Sequence, residues 1–159
     1  MPWGANLLKR LTLSIIITTI IIIFDYLTKR LVLAYIDPFE VIPILPFLRL
    51  VHVQNKGAAF GLFSNISNTT FIILSLIATV LVVSYLFHVK KRLEVLSLSF
   101  ILGGAIGNLI DRLTIGRVID FIDLFVGRWH WPAFNVADSA LTIGLMLFII
   151  SNVRDHTCL

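Results

Sequence analysis

Three aspartates of this chain, Asp120, Asp123 and Asp138, lie where the surrounding sequence supplies no obvious cation. Two carboxyl groups within hydrogen-bonding reach cannot both ionise easily, so they hold one proton between them. One carboxyl then acts as a base towards a water molecule and the other as an acid, which is all that peptide hydrolysis requires. The acids therefore raise the hypothesis of an aspartic-protease pair, with Asp120 and Asp138 as its members.

Each of these acids also has a simpler explanation. Asp120 alone is explained as a solvated loop acid, and Asp138 alone as an acid near a helix N-terminus, where the macrodipole favours negative charge. Other catalytic arrangements have less support. The four histidines have no paired metal-ligand spacing, so no metal and no cofactor are expected. Ser97 and Ser99 could meet Lys91, but serines in apolar helices typically bond to the helix backbone.

A second acid, Asp25, lies four residues before Lys29. This acid-first order at helical spacing favours an ion pair. A charged side chain in apolar surroundings costs at least about 2.5 to 3.5 kcal/mol, so each such residue needs a partner or a role. Asp25 and Lys29 are therefore interpreted as an interfacial ion pair.

More polar residues lie at the ends of two later apolar stretches. Asn108 and Arg112 are four residues apart and share a helix face with Gly104, one turn earlier. Asp111 lies on an adjoining line of the same helix. Asn135 lies three residues before the second member of the proposed pair, at the start of the following stretch. Antiparallel spans would bring all of these residues to one level.

Four apolar stretches must position these residues. The chain is 58% hydrophobic and only 14% charged, a composition outside the range of soluble domains. Stretches near residues 11–27, 70–87, 93–110 and 134–151 are long enough to cross a hydrocarbon core. One integral membrane domain over residues 1–159 is expected, with the first stretch kept as an uncleaved helix because no small-x-small cleavage site follows it. Gly103 and Gly107 predict close helix packing.

The distribution of basic residues predicts the orientation of the spans. Cations precede the first span, are concentrated in the link between the second and third, and follow the fourth, so that side is cytoplasmic by the positive-inside rule. Lys29 and Arg30, just after the first span, lie on the opposite side and do not fit the rule. Both termini are then cytoplasmic, and the acids lie near the outer face. Alternating residues in 47–54 and 117–123 predict short strands in the outer segments.

Composition also excludes two classes of partner or bond. The net charge is +4, but the basic residues are scattered between apolar spans and form no stripe, which argues against nucleic acid. Cys158 is the only cysteine, so no intrachain disulfide forms.

Five ordered blocks resemble the lipoprotein signal peptidase, or signal peptidase II, family of bacteria: Asp25-Tyr26-Leu27-Thr28-Lys29, Asn55-Lys56-Gly57-Ala58-Ala59-Phe60-Gly61, Gly103-Gly104-Ala105-Ile106-Gly107-Asn108-Leu109-Ile110-Asp111-Arg112, Gly116-Arg117-Val118-Ile119-Asp120-Phe121 and Phe134-Asn135-Val136-Ala137-Asp138. The resemblance covers residues 25–144. It departs from the family at Tyr26, where glutamine is more usual.

The resemblance implies an all-α membrane protein with four transmembrane helices, a small extracytoplasmic β-cradle and a surface helix. It implies an aspartic endopeptidase of the bacterial cytoplasmic membrane, with no cofactor. The expected substrate is a diacylglyceryl-modified prolipoprotein cut before the lipidated cysteine. Membrane lipid is the other expected partner, and the enzyme is expected to be a monomer.

The resemblance also assigns roles to residues. Asp120 and Asp138 match the catalytic pair. Positions near the substrate are matched by five residues: Asn55, Gly104, Asn108, Arg112 and Asn135. Supporting roles fall to Asp25, Lys29 and Asp111.

Two rival functions come from other classes. The first is a small transporter with a proton relay through Asp25, Asp111, Asp120 and Asp138, since ionisable residues in membranes often have that role. Against it, these acids lie at one face and do not trace a path across the bilayer. The second rival is a noncatalytic scaffold, in which replacement of the acids by amides would abolish no activity.

Overall fold

A computed structural model describes residues 7–57 and 66–156, with backbone alone for residues 154–156. The second half of the glycine-bearing block that begins at Asn55, the side chain of Arg154, and Cys158 lie outside the described residues. Statements below concern the described part of the chain.

Four helices form the body of the molecule: α1 (Leu7–Tyr35), α2 (Asn68–His88), α3 (Arg92–Thr114) and α4 (Val136–His156). All four are long and apolar enough to cross a membrane. They include almost all of the four apolar stretches and extend past most of their ends. With 29 residues at about 1.5 Å each, α1 is longer than the roughly 30 Å thickness of a hydrocarbon core.

The outer surface of the helices is apolar. Large aliphatic side chains are exposed along α1, α2 and α4, and α2 buries only Leu86. Exposure of this kind is unfavourable in water and is what a hydrocarbon solvent allows. The helix α3 is the exception, because more than half of its apolar window is buried inside the protein. It is therefore the central helix, against which the other helices pack.

Glycines allow the helices to approach α3 closely. A Cβ atom at Gly103 would lie 2.8 Å from Cβ of Ile21 in α1, and one at Gly107 would lie 2.7 Å from a carboxylate oxygen of Asp25. Gly144 of α4 meets the backbone of α3 in the same way. The predicted packing role of Gly103 and Gly107 is confirmed.

A four-stranded antiparallel sheet caps one end of the bundle. Its strands are β1 (Val41–Leu45), β2 (Leu48–Asn55), β3 (Val118–Val126) and β4 (Trp129–His130), in the order β1-β2-β3-β4. The predicted strands near 47–54 and 117–123 are thus confirmed. Ile119 and Phe121 of β3 pack on Val32 and Ile36 near the end of α1. No separate surface helix occurs in residues 36–57, 66–67 or 115–135, and residues 58–65 lie outside the described part.

The pairing of β2 with β3 is irregular in the middle. Leu50 pairs with Ile122 and Val53 pairs with Asp120, so two residues of β2 lie opposite one residue of β3. Such a bulge changes which way the side chains of a strand point. The extra residue lies in β2, and Asp120 and Asp123 of β3 both line one groove on the sheet.

Candidate active site

The outer end of the bundle brings the predicted site residues together. Asp120 lies in β3 and Asp138 in the first turn of α4, while α3 contributes Asn108 and Arg112 from its last two turns. Asn55 ends β2. The expectation that helix ends and outer segments meet at one level is met by this geometry.

Asn135 joins the two aspartates of the proposed pair. Its side-chain nitrogen donates to Oδ1 of Asp120 at 2.7 Å, and its backbone N–H donates to Oδ2 of Asp138 at 3.3 Å. Its own Oδ1 accepts from the backbone N–H of Asp138 at 2.8 Å. The last two bonds form a capping box at the start of α4. The cap that begins the helix therefore also fixes the separation of the two carboxyl groups.

Asp120 is almost fully buried, with 1% of its surface exposed. Its Oδ2 accepts a hydrogen bond of 2.9 Å from the side-chain nitrogen of Asn55. Burial, and then the nearby charge of Asp138, raise the pKa of Asp120 from 3.8 to about 7, although the amides of Asn55 and Asn135 oppose the shift. The carboxyl group thus keeps its proton up to about neutral pH, well above the range of an ordinary aspartate. The explanation of Asp120 as a solvated loop acid is wrong.

Asp138 is half-buried and is held from α3. Its Oδ1 accepts a bond of 2.8 Å from the side-chain nitrogen of Asn108. The oxygen of that same amide accepts from Nζ of Lys29 at 3.1 Å, which fixes the orientation of the amide. Asn108 therefore connects the second aspartate to the buried cation of α1.

A buried ionic network lies behind the pair. Nζ of Lys29 lies 2.8 Å from Oδ2 of Asp25 and 2.9 Å from Oδ2 of Asp111, and all three residues are at most 5% exposed. The remaining contacts reach other elements: Asp25 accepts from the backbone N–H of Ala137 in α4, and Asp111 from that of Ile119 in β3. The predicted Asp25–Lys29 ion pair is confirmed, and the network fastens α1, α3, α4 and β3 together.

Arg112 and Gly104 have different surroundings, although they share a helix. The guanidinium of Arg112 donates to the carbonyl oxygen of Gly57 at 2.7 Å and lies 4.1 Å from the ring centre of Phe71. It thus ties the end of β2 to the start of α2. Gly104 is buried against the carbonyl oxygen of Ala137 and the side chain of Leu141. Its place is at the α3–α4 contact, where a side chain would force the two helices apart.

A large apolar cavity opens beside the pair. It has a volume of about 940 Å³ and lies between α2 and α4, with α3 behind it. Asp120, Asp138, Asn108 and Arg112 line its polar end. Its apolar wall comes from α2 and α4, including Phe71, Leu74, Ala78, Leu141, Ile143 and Met146.

Tyr26, the departure from the family pattern, points away from the site. It is 42% exposed, and its hydroxyl accepts from Nε of Arg30 at 3.0 Å. Its ring also lies under the Arg30 guanidinium. Neither residue contributes a hydrogen bond to the network around the aspartates.

A cluster on the sheet was not anticipated from the sequence. The sequence shows no local cation for Asp123, but a distant one reaches it: Arg49 pairs with it across β2 and β3, with Nε at Oδ2. His130 of β4 also approaches this carboxylate, with Nδ1 3.1 Å from Oδ1. The three residues meet only through the pairing of the strands. Arg49 and His130 lie 74 and 7 residues from Asp123 in the sequence, and these spacings predict no contact.

The rival chemistries find little support in the described residues. Within residues 7–57 and 66–153, no group of three His, Cys, Asp or Glu side chains could hold a metal ion. Ser97 and Ser99 donate to helix carbonyl oxygens, as expected. A proton relay along α1 would pass Thr18 and Asp25, but the buried residue between them is Ile21, which packs on Gly103.

Comparison with known proteins finds a family and relatives that cover most of the chain. Residues 17–154 match the sequence model of a family described as signal peptidase (SPase) II. A lipoprotein signal peptidase of Thermodesulfovibrio yellowstonii is 46% identical over 135 residues, which is 85% of this chain and 90% of that protein. A lipoprotein signal peptidase of Burkholderia mallei is 48% identical over 143 residues, with 87% and 86% covered.

Two solved structures have the same fold. A bacterial membrane enzyme determined by the in meso method at 2.3 Å resolution matches with a TM-score of 0.86 and 34% identity, over 91% of this chain and 90% of that one. A second, at 1.9 Å resolution, matches with a TM-score of 0.82 and the same identity, over 91% and 94%. With four helices of membrane-spanning length and this family match, the chain is an integral membrane protein that belongs to the signal peptidase II family.

Proposed function

We propose that this protein is a membrane aspartic endopeptidase in which Asp120 and Asp138 are the catalytic residues. Its substrate is a prolipoprotein that carries a diacylglyceryl group, cut before the lipidated cysteine. The observation that carries this proposal is the double contact of Asn135, which holds both carboxyl groups at the polar end of an apolar cavity. Family membership supports the substrate class.

The two carboxyl groups divide the chemistry. Asp120 holds the shared proton, because burial and the neighbouring charge raise its pKa to about 7. Asp138 acts as the base that takes a proton from water as the water attacks the scissile carbonyl carbon. Asp120 donates its proton to the carbonyl oxygen, which gives a tetrahedral diol. Asp138 then passes its proton to the amide nitrogen, a hydroxyl of the diol returns a proton to Asp120, and the C–N bond breaks. The signal peptide leaves with a new carboxyl end. Asn108 and Asn135 hold the acids in position.

The cavity suits a substrate that is anchored in lipid. A signal peptide and two acyl chains present only apolar surface, and the cavity offers apolar side chains of α2 and α4 to them. A carboxyl pair at the end of the bundle meets the scissile bond at the membrane surface, where water is available. The helices thus bind the apolar parts of the substrate, and the sheet lies on the aqueous side of the site.

The basic residues and the position of the site support a particular membrane and a particular orientation in it. We assign the protein to the bacterial cytoplasmic membrane, with both termini in the cytoplasm and the aspartates near the outer face. The chain is one peptidase domain over residues 1–159, acting as a monomer in contact with membrane lipid. Asn55, Arg112 and Gly104 support the site through strand, loop and helix contacts.

Lipid modification of the substrate is expected to decide cleavage. Purified protein in lipid nanodiscs should cleave a diacylglyceryl-modified prolipoprotein at least about tenfold faster than the unmodified form. The reason is that each buried CH₂ group contributes about 0.8 kcal/mol, so even a few of them are enough. The two substrates share one polypeptide sequence, which isolates the lipid. Equal rates for both forms would contradict the proposed substrate class.

The rate is expected to fall on the alkaline side of neutrality. Below about pH 7 Asp120 keeps its proton, and above it the pair carries two charges and lacks the acid. The rate should therefore drop about tenfold for each pH unit above the transition. An acidic limb follows when the second carboxyl is protonated as well, giving a bell-shaped profile. A rate that stays constant from pH 6 to pH 9, measured under substrate-limited conditions, would contradict the proposal that the two carboxyl groups share one proton.

A further inference from the structure

A second groove, on the sheet, opens on the other side of Asp120. It has a volume of about 680 Å³, and five residues of β2 line it, namely Arg49, Val51, Val53, Gln54 and Asn55. The groove and the apolar cavity share Asn55, Gly57, Asp120 and the loop of residues 131–133. Asp120 therefore lies where the two spaces meet.

The two spaces differ in the chemistry that they offer. The cavity lies among the helices and is lined mainly by aliphatic side chains, whereas charged and polar side chains of the strands line much of the groove. If the proposed function holds, the signal peptide and the acyl chains occupy the cavity. The chain that follows the lipidated cysteine must then leave towards water. The groove begins at Asp120 and offers it charged side chains beside apolar ones.

The groove is lined by charged side chains of both signs. Arg49 and Lys56 line it together with His130, and Asp123 is the carboxylate that opposes them, apart from Asp120 itself. Asp123 is already engaged, because Arg49 and His130 both approach it. Lys56 is exposed. In the proposed function Asp120 holds the shared proton, so the two cations outnumber the one remaining carboxylate. An acidic segment of substrate would then meet net attraction here, and a basic segment net repulsion.

Arg49 is arranged to donate to such a segment. Its Nε is used by Asp123, and its guanidinium lies over the ring of Phe125 at 5.3 Å, which restrains its orientation. Nδ1 of His130 lies within 3.2 Å of both oxygens of Asp123, so this nitrogen is the donor in that contact. The Arg49 side chain is 31% exposed. Its Nη2 lies 3.3 Å from Nδ1 of His130, and the N–H groups that face the groove can donate to a carboxylate there.

Strand geometry gives the substrate position that Arg49 meets. Arg49 is the cross-strand partner of Asp123, three residues along β3 from Asp120. At about 3.3 Å per residue, that separation is about 10 Å, or about three residues of an extended chain. From a scissile bond at Asp120, this corresponds to the second and third residues after the cysteine.

We propose that the groove is a binding site for the first residues after the lipidated cysteine, and that it selects acidic side chains over basic ones at the second and third of them. This proposal deepens the proposed function and rests on it.

The test compares lipidated substrates that differ at one of these two residues. Asp, Asn and Lys are placed there in turn, and kcat/KM is measured for each with purified wild-type protein in nanodiscs. A partly exposed ion pair contributes up to about 1 kcal/mol, so the Asp substrate should be cut about threefold to fivefold more efficiently than the Lys substrate, with Asn between them. The same series about ten residues further along the substrate, beyond the groove, should give equal values.

Charge variants of the enzyme locate the selectivity. Arg49→Gln and Lys56→Gln should each bring the Asp-to-Lys ratio towards one, whereas Arg49→Lys should retain most of it. Arg30→Gln is the matched control, because Arg30 contacts Tyr26 away from the groove, and its ratio should equal that of the wild type. If Arg49→Gln does not fold, exposed Lys56 still provides the comparison.

The outcomes separate the two proposals. Cleavage of every substrate with no charge preference would overturn the groove assignment and leave the peptidase intact. A preference that survives both glutamine variants would overturn it as well. Cleavage of none of the substrates by folded wild-type protein would overturn the proposed function itself.

Discussion

Asp120→Asn and Asp138→Asn are each expected to lower the rate of prolipoprotein cleavage by about a thousandfold or more. Asparagine keeps the size of the side chain but can neither hold the shared proton nor accept one from water, and general acid–base catalysis contributes about 10² to 10⁴ for each group. The hydrogen bonds from Asn135 and Asn108 hold these two carboxyl groups in place. The loss should therefore fall on kcat.

The double variant Asp120→Asn/Asp138→Asn distinguishes a pair from two separate acids. Residues that act as one unit are non-additive, so the double variant should be about as slow as either single one. Asp37→Asn makes the same chemical change on an exposed residue and should retain the wild-type rate. Asp123→Asn should retain part of the activity. Near-wild-type turnover by Asp120→Asn or Asp138→Asn would contradict the assignment.

Lys29→Met is expected to destabilise the folded protein by about 3 to 5 kcal/mol. The side chain of Lys29 is 2% exposed, and its removal would leave Asp25 and Asp111 buried without their cation. Breaking a buried ionic network in this way is strongly unfavourable. The measurement is thermal unfolding in detergent, followed by loss of helical signal, and the midpoint should fall by several degrees.

Two further variants test whether unpaired charge is the cause. Arg30→Met alters the neighbouring but exposed cation and should leave the midpoint almost unchanged. The triple variant Asp25→Asn/Lys29→Met/Asp111→Asn removes the charges together, while asparagine oxygens can still accept from Ala137 and Ile119. It should recover much of the lost stability. A midpoint as high in Lys29→Met as in the wild type would refute the structural role of the network.

The helices and the gathering of the site were predictable because membrane burial imposes long apolar stretches. Each span had to carry about 20 residues, and polar residues that could not lie in hydrocarbon marked the span ends. Asp25 with Lys29, and Asn108 with Arg112, followed from helical spacing alone. The full length of α1 did not, because its last turns are amphipathic and pack on the sheet through Val32 and Ile36.

The contacts on the sheet could not be predicted, because they depend on pairing between distant strands. Arg49 and Asp123 meet only through the register of β2 with β3. The bulge between Leu50 and Val53 leaves no mark in the alternation of either strand. The role of Asn135 as both helix cap and bridge between the acids likewise required the three-dimensional arrangement.

The intact masses of the products of one cleavage reaction show whether Asp120 and Asp138 cut the prolipoprotein before its lipidated cysteine. A diacylglyceryl-modified prolipoprotein is incubated with purified, folded wild-type protein and, in parallel, with Asp120→Asn and Asp138→Asn. The wild type is expected to yield two fragments, a free signal peptide and a chain that begins with the lipidated cysteine. Both variants are expected to leave the substrate uncut. Fragments of the same masses from either variant, at a rate near that of the wild type, would contradict the catalytic assignment of Asp120 and Asp138.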